Sequence, residues 1–82
     1  MSIAAVSSAL NFGENNSEEY KKNSLRIITS SGEKINGIVS IISEYDSLEG
    51  KSVPIVMVKV QHYGDILFID PKYIVSACPL MS

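Results

Sequence analysis

The chain has one cysteine, Cys78, so no disulfide can form within it. It has one histidine, His62, and no Cys/His set with the spacing of a zinc site. Basic residues are few: seven Lys and Arg against nine Asp and Glu give a net charge of -2 and a pI of 5.2. That balance excludes a broad phosphate-binding field, and any nucleic-acid contact must rest on local sites. No apolar run approaches the ~20 residues of a membrane span. The opening "MSIAAVSSALNF" is mildly apolar with no basic segment before it, which reads as a short helix or arm and not as a signal peptide. A free thiol without an export signal suits a reducing cytoplasm. There is no phosphate-cradling glycine loop, no nucleophile with a partner and no carboxylate pair placed for acid/base work. The expectation is a protein that is not an enzyme and uses no cofactor. With 82 residues the chain holds one compact domain, whose small core leaves marginal stability unless subunits associate.

Two parts are present. Residues 1–23 form an N-terminal arm, in which Ile3, Val6 and Leu10 have helical spacing and "NFGENN" ends the helix. "NSEEYKKN" has an N-cap at Asn16 or Ser17, acids in its first turn and Lys21 and Lys22 near its end, which predicts a second helix of about two turns. Residues 24–82 read as five short strands: "LRIITS", "KINGIVSIIS", "VPIVMVKVQ", "DILFID" and "KYIVSA". Gly32 marks the first turn, "EYDSLEGKS" reads as a loop starting near Tyr45, and "HYGD" is a turn. Gly37 stands inside an Ile/Val-rich strand, where glycine signals a sharp bend or a close backbone approach. The predicted class is all-β with a short N-terminal helix: a five-stranded, strongly bent, SH3-like barrel.

The later strands are apolar on both faces. Val56, Val58 and Val60 alternate with Ile55 and Met57, and Ile66 and Phe68 alternate with Leu67 and Ile69. A lone small barrel buries one face and wets the other. The second face is covered either by the N-terminal helix or by a neighbouring subunit pairing at the sheet edges.

"GEKINGIVSIISEYDSL", Gly32 to Leu48, resembles the first motif of the Sm/LSm family, which includes the bacterial Hfq branch. Gly32 matches the turn glycine, Gly37 the bend glycine, and Ile35, Val39, Ile42 and Leu48 the apolar frame. Tyr45 falls where the family often has a base-stacking residue. Ser43 and Ser47 replace the usual Asp and Asn. In "DILFIDPKYIVSA" the apolar frame of the second motif is kept, Asp70-Pro71 replaces Arg-Gly, and Lys72 falls near a histidine of the Hfq form. The resemblance implies an Sm-like fold and a homo-oligomeric ring in which the fourth strand of one copy pairs with the fifth of the next. It also implies binding of single-stranded RNA, or DNA as the other polymer.

Four residues carry the candidate nucleic-acid site. Tyr45 stacks a base or packs its own loop. Asp46 and Ser47 read a base edge or satisfy nearby backbone groups. Lys72 meets phosphate or a ring face, or is a solvated surface lysine. His62 and Tyr63 flank a turn beside Gly64, and a lone histidine there reads as a polar turn residue. Arg26, Lys34 and Lys59 make a modest basic rim, and Cys78 reads as a small buried hydrophobe. The alternative function is an assembly protein that keeps the ring but binds protein. A monomeric SH3-type adaptor is the third.

Overall fold

The computed structural model describes residues 3–48 and 51–82, and of these the side chains outside 44–55. Helix α1 (Ile3–Asn15) is followed by strands β1 (Tyr20–Thr29), β2 (Lys34–Leu48), β3 (Lys51–His62), β4 (Asp65–Ile69) and β5 (Ile74–Met81). The strands form one antiparallel sheet in the order β4-β3-β2-β1-β5. Five strands and an N-terminal helix are as the sequence leads one to expect. The closed barrel is not: β4 and β5 are the two edges of an open sheet.

Period-2 alternation decides the inner face. Leu25 and Ile27 of β1, Val39 of β2, and Val58 and Val60 of β3 are buried, together with Ile74 of β5. Their neighbours in sequence, Arg26, Ile38 and Ser40, are exposed. Helix α1 joins this core through Val6 and Ala9, with Ile3 and Leu10 packed against it. These are i, i+3 and i+4 neighbours on one helical face.

Three departures from the expected elements are set by partners distant in the sequence. Helix α1 runs through Asn11-Phe12-Gly13 because Gly13 is buried, and a side chain there would reach Pro79 of β5. Tertiary packing overrides the poor helix propensity of glycine. The helix closes on Asn16, whose side chain and backbone amides both donate to the Phe12 carbonyl, at 2.8 and 3.1 Å. The segment predicted as a second helix is instead a turn, Asn16–Glu19, followed by the start of β1. Tyr20 pairs with Met81, and the Glu19 carbonyl accepts from the Ser82 amide at 2.9 Å. A ladder to the chain's far end outweighs two marginal helical turns. Asn23, at φ 57, accompanies the register shift between Tyr20 and Leu25. Finally, the segment read as a loop from Tyr45 is strand. β2 pairs with β3 out to Leu48 and Lys51, and Tyr45, Asp46 and Ser47 face Pro54, Val53 and Ser52. The hydrogen-bonded ladder, not apolar alternation, sustains the strand there.

Gly37 is where β2 changes neighbours. β2 pairs with β1 from Lys34 to Ile38 and with β3 from Ile38 onward. A Cβ on Gly37 would overlap the Gln61 carbonyl oxygen and come within 2.8 Å of Val60 Cγ1. The close approach that glycine signalled in the sequence is therefore between two strands of the sheet itself.

Gly37→Ala forces a methyl group against backbone that cannot move aside. It is expected to destabilise the fold by about 1–3 kcal/mol, the usual cost of overpacking. Gly64, with open space where its Cβ would lie, gives the control: Gly64→Ala is expected to be neutral within about 0.5 kcal/mol. Urea denaturation of both variants at one protein concentration checks the pair. Equal effects at the two positions would contradict the account of Gly37.

Candidate nucleic-acid interface

Lys72 sits in a single 3-10 turn, Pro71–Tyr73, between β4 and β5. Asp70 starts the turn: its Oδ1 accepts from the Lys72 amide at 3.0 Å, and its carbonyl accepts from the Tyr73 amide at 3.0 Å. An acidic cap followed by proline is a local signal for such a start. The turn is tied to the β1–β2 connection through the Tyr73 carbonyl, which accepts from the Ser30 amide at 2.7 Å. Lys72 Nζ lies 4.0 Å from Asp70 Oδ2 and 5.1 Å from the centre of the Tyr73 ring. Both contacts are at the surface, where an ion pair contributes about 0–1 kcal/mol. The lysine is held locally but can be redirected to a phosphate at little cost.

β4 ends at Ile69 opposite Val58, four residues along β3 from Pro54, which faces Tyr45. The register thus puts the Lys72 turn toward the end of the sheet from which the β2–β3 ribbon extends. Tyr45, Asp46 and Ser47 have their backbone in β2, and their side chains lie outside the described residues.

The second faces of the edge strands have a definite fate. Ile66 and Phe68 are 51% and 58% exposed, and Val75 and Met81 are 64% and 66% exposed. Helix α1 packs on β1 and β5, and Phe12 meets Tyr20 edge-to-face at 5.3 Å. The helix therefore leaves the outer face of β4 open. An apolar groove flanks each edge. One, of about 500 Å³, runs beside β4 along Ile35, Leu67, Phe68 and Tyr73. The other, of about 530 Å³, lies between α1 and β5 along Ala9, Phe12, Val75 and Pro79.

The remaining residues singled out from the sequence fall on the outer face. Arg26 Nε donates to Asn36 Oδ1 at 3.0 Å, across the register pair those residues form. Lys34 is exposed and Lys59 is half-buried opposite Ser40. Cys78 is exposed, not buried as expected. It pairs with Arg26 across β1 and β5, and residues directly opposite share a face. Among the described residues no group of three or more His, Cys, Asp or Glu could hold a metal ion, and no helix is long and apolar enough to cross a membrane.

A feature the sequence did not reveal lies at the other end of β3. His62 is half-buried, and its Nδ1 bonds to the Asn36 carbonyl. A carbonyl only accepts, so Nδ1 carries the proton, and in that tautomer Nε2 is an acceptor. Tyr63 meets the His62 ring edge-to-face at 4.6 Å and is 90% exposed. Its φ is 54, in the left-handed region, which costs a residue with a Cβ about 1–2 kcal/mol. The only sequence signal was a tyrosine beside a glycine in the hairpin turn.

No family model, curated protein or solved structure matches the chain.

Asp70→Ala removes the cap of the Lys72 turn. The expected loss is about 1 kcal/mol, read as a Tm lower by roughly 4–8 °C at fixed protein concentration. Asp70→Asn keeps an oxygen acceptor and is expected to retain most of that stability. Circular-dichroism melts of the two variants check this, and an Asp70→Ala protein that melts with the wild type would show that the cap contributes nothing.

Proposed function

We propose that the chain is an Sm-like protein that closes a homo-oligomeric ring and binds single-stranded RNA. One observation carries the reading. β4 and β5, the strands that the resemblance pairs between copies, are the two free edges of this sheet, and both expose large apolar side chains. An open edge presents unpaired backbone donors and acceptors. Pairing β4 of one copy with β5 of the next satisfies them, removes Phe68 and Val75 from water, and carries the sheet on from copy to copy. β4 and β5 are different surfaces, so the contact is head-to-tail, and it ends in a ring when the rotation closes.

On this reading, bases stack on Tyr45, Asp46 and Ser47 contact base edges, and Lys72 turns from Asp70 to phosphate. Each contact is weak, and repetition around the ring supplies avidity. The protein works by binding, without catalysis or cofactor, in the cytoplasm. The local sites carry the affinity, so an acidic pI is compatible with it. A second reading keeps the ring and gives it a protein partner. Lys72 held between Asp70 and Tyr73 favours that reading, because Asp70 repels phosphate from the same turn.

Fluorescence anisotropy with poly-U, poly-A and single-stranded DNA at low salt separates the two. Binding is expected, and Tyr45→Ala is expected to weaken it roughly tenfold or more, the scale of one lost stacking contact. Absence of binding to all three polymers would favour the protein-binding ring. Binding unchanged in Tyr45→Ala would remove Tyr45 from the site.

A further inference from the structure

We infer a second nucleotide-binding site at the β3–β4 turn, with a base stacked on Tyr63, a backbone phosphate held by Lys21, and His62 Nε2 accepting from a hydroxyl or exocyclic amine of the nucleotide. This rests on the single-stranded nucleic-acid reading but uses none of the residues at the Tyr45 end. His62 and Pro54 stand eight residues apart on β3, about 26 Å at ~3.3 Å per residue, so the two sites lie at opposite ends of that strand.

Three independent observations meet at this turn. The first is a groove of about 320 Å³ lined by Lys21, Asn36, Gly37, Gln61, His62 and Tyr63. That volume lies at the lower end of the ~300–1,000 Å³ range of small-ligand sites. The second is the chemistry of its lining. Asn36 Oδ1 is occupied by Arg26, so the Asn36 amide is left with hydrogen-bond donors. His62 is fixed by the Asn36 carbonyl with Nε2 as an acceptor for a nucleotide hydroxyl or amine, and Lys21 adds an exposed cation. Gln61 can both donate and accept against a base edge. The third is Tyr63 itself. A large ring is kept almost wholly in water, on a backbone conformation that glycine adopts without strain and tyrosine does not. Strained residues that persist are a pointer to function. The fold gains little from this side chain beyond its contact with His62, whereas a base would gain a flat, pre-positioned face.

The groove suits a polymer phosphodiester better than a phosphate monoester. Asp65 faces His62 in the ladder and brings a carboxylate to the same turn. A diester brings one negative charge, matched by the one cation Lys21, whereas a monoester would add a second negative charge beside that carboxylate. A base with an exocyclic amine can also donate to Asp65.

The test is an NMR titration of the full-length protein with the dinucleoside monophosphates ApA and UpU, each with one diester charge. At least one of the two is expected to shift the ring signals of His62 and Tyr63 in a saturable way. Tyr63→Gly is expected to weaken that binding about tenfold or more while raising Tm, because glycine relieves the left-handed conformation. Higher stability with lower affinity rules out unfolding as the cause. Tyr63→Phe keeps the ring and is expected to bind as the wild type does. The site is overturned if neither dinucleotide shifts His62 and Tyr63, or if Tyr63→Gly binds like the wild type. Single-stranded polymer binding that survives Tyr63→Gly unchanged overturns this site and leaves the Tyr45 end standing. Dinucleotide binding at Tyr63 without polymer binding supports the site and overturns the ring's RNA function.

Discussion

The contact between Gly37 and the backbone of Gln61 is the constraint on which the architecture turns. Only a residue without a Cβ lets β2 and β3 come this close. At that point β2 passes from pairing with β1 to pairing with β3. The same approach holds Asn36 against His62, so the groove at the β3–β4 turn depends on it as well. One glycine therefore links the division of the sheet, its two free edges and the placement of the His62–Tyr63 pair.

Both edges of the sheet keep large apolar side chains in water. Among the described residues eight hydrophobic side chains form the buried core, and an 82-residue domain has little surface to bury against its own chain entropy. Large side chains of comparable apolar character are left half-exposed or more on β4 and β5. In the proposed ring, burying them between copies would add roughly 25 cal/mol for each Å² removed from water and satisfy two rows of backbone groups in the same step. A helix could have served this purpose. Instead, α1 spends its apolar face on β1, β5 and the core.

Much of the sheet was legible in the sequence, because period-2 alternation and the Gly and Pro positions are local signals. The two-sided apolar character of "DILFID" was also legible, and Ile66 and Phe68 remain exposed as a two-sided strand at an edge would leave them. What escaped was set by distant partners. Gly13 stays helical because of Pro79, and Tyr20 is strand because of Met81. Tyr45 to Ser47 are strand because β3 pairs with them despite their polar composition. Cys78 was misjudged because its strand end looks apolar in sequence, while its register partner, Arg26, faces out. Of the candidate site, the capped turn at Asp70-Pro71 could be read from its residue types. The left-handed tyrosine at position 63 could not, since tyrosine, unlike glycine or asparagine, does not signal a positive φ.

Solution mass bears most directly on all of this. Size-exclusion chromatography with light scattering should return several times the 8.9 kDa of one chain at micromolar concentration, from a single closed species. A uniform 8.9 kDa particle, soluble with both sheet edges in water, would contradict the account.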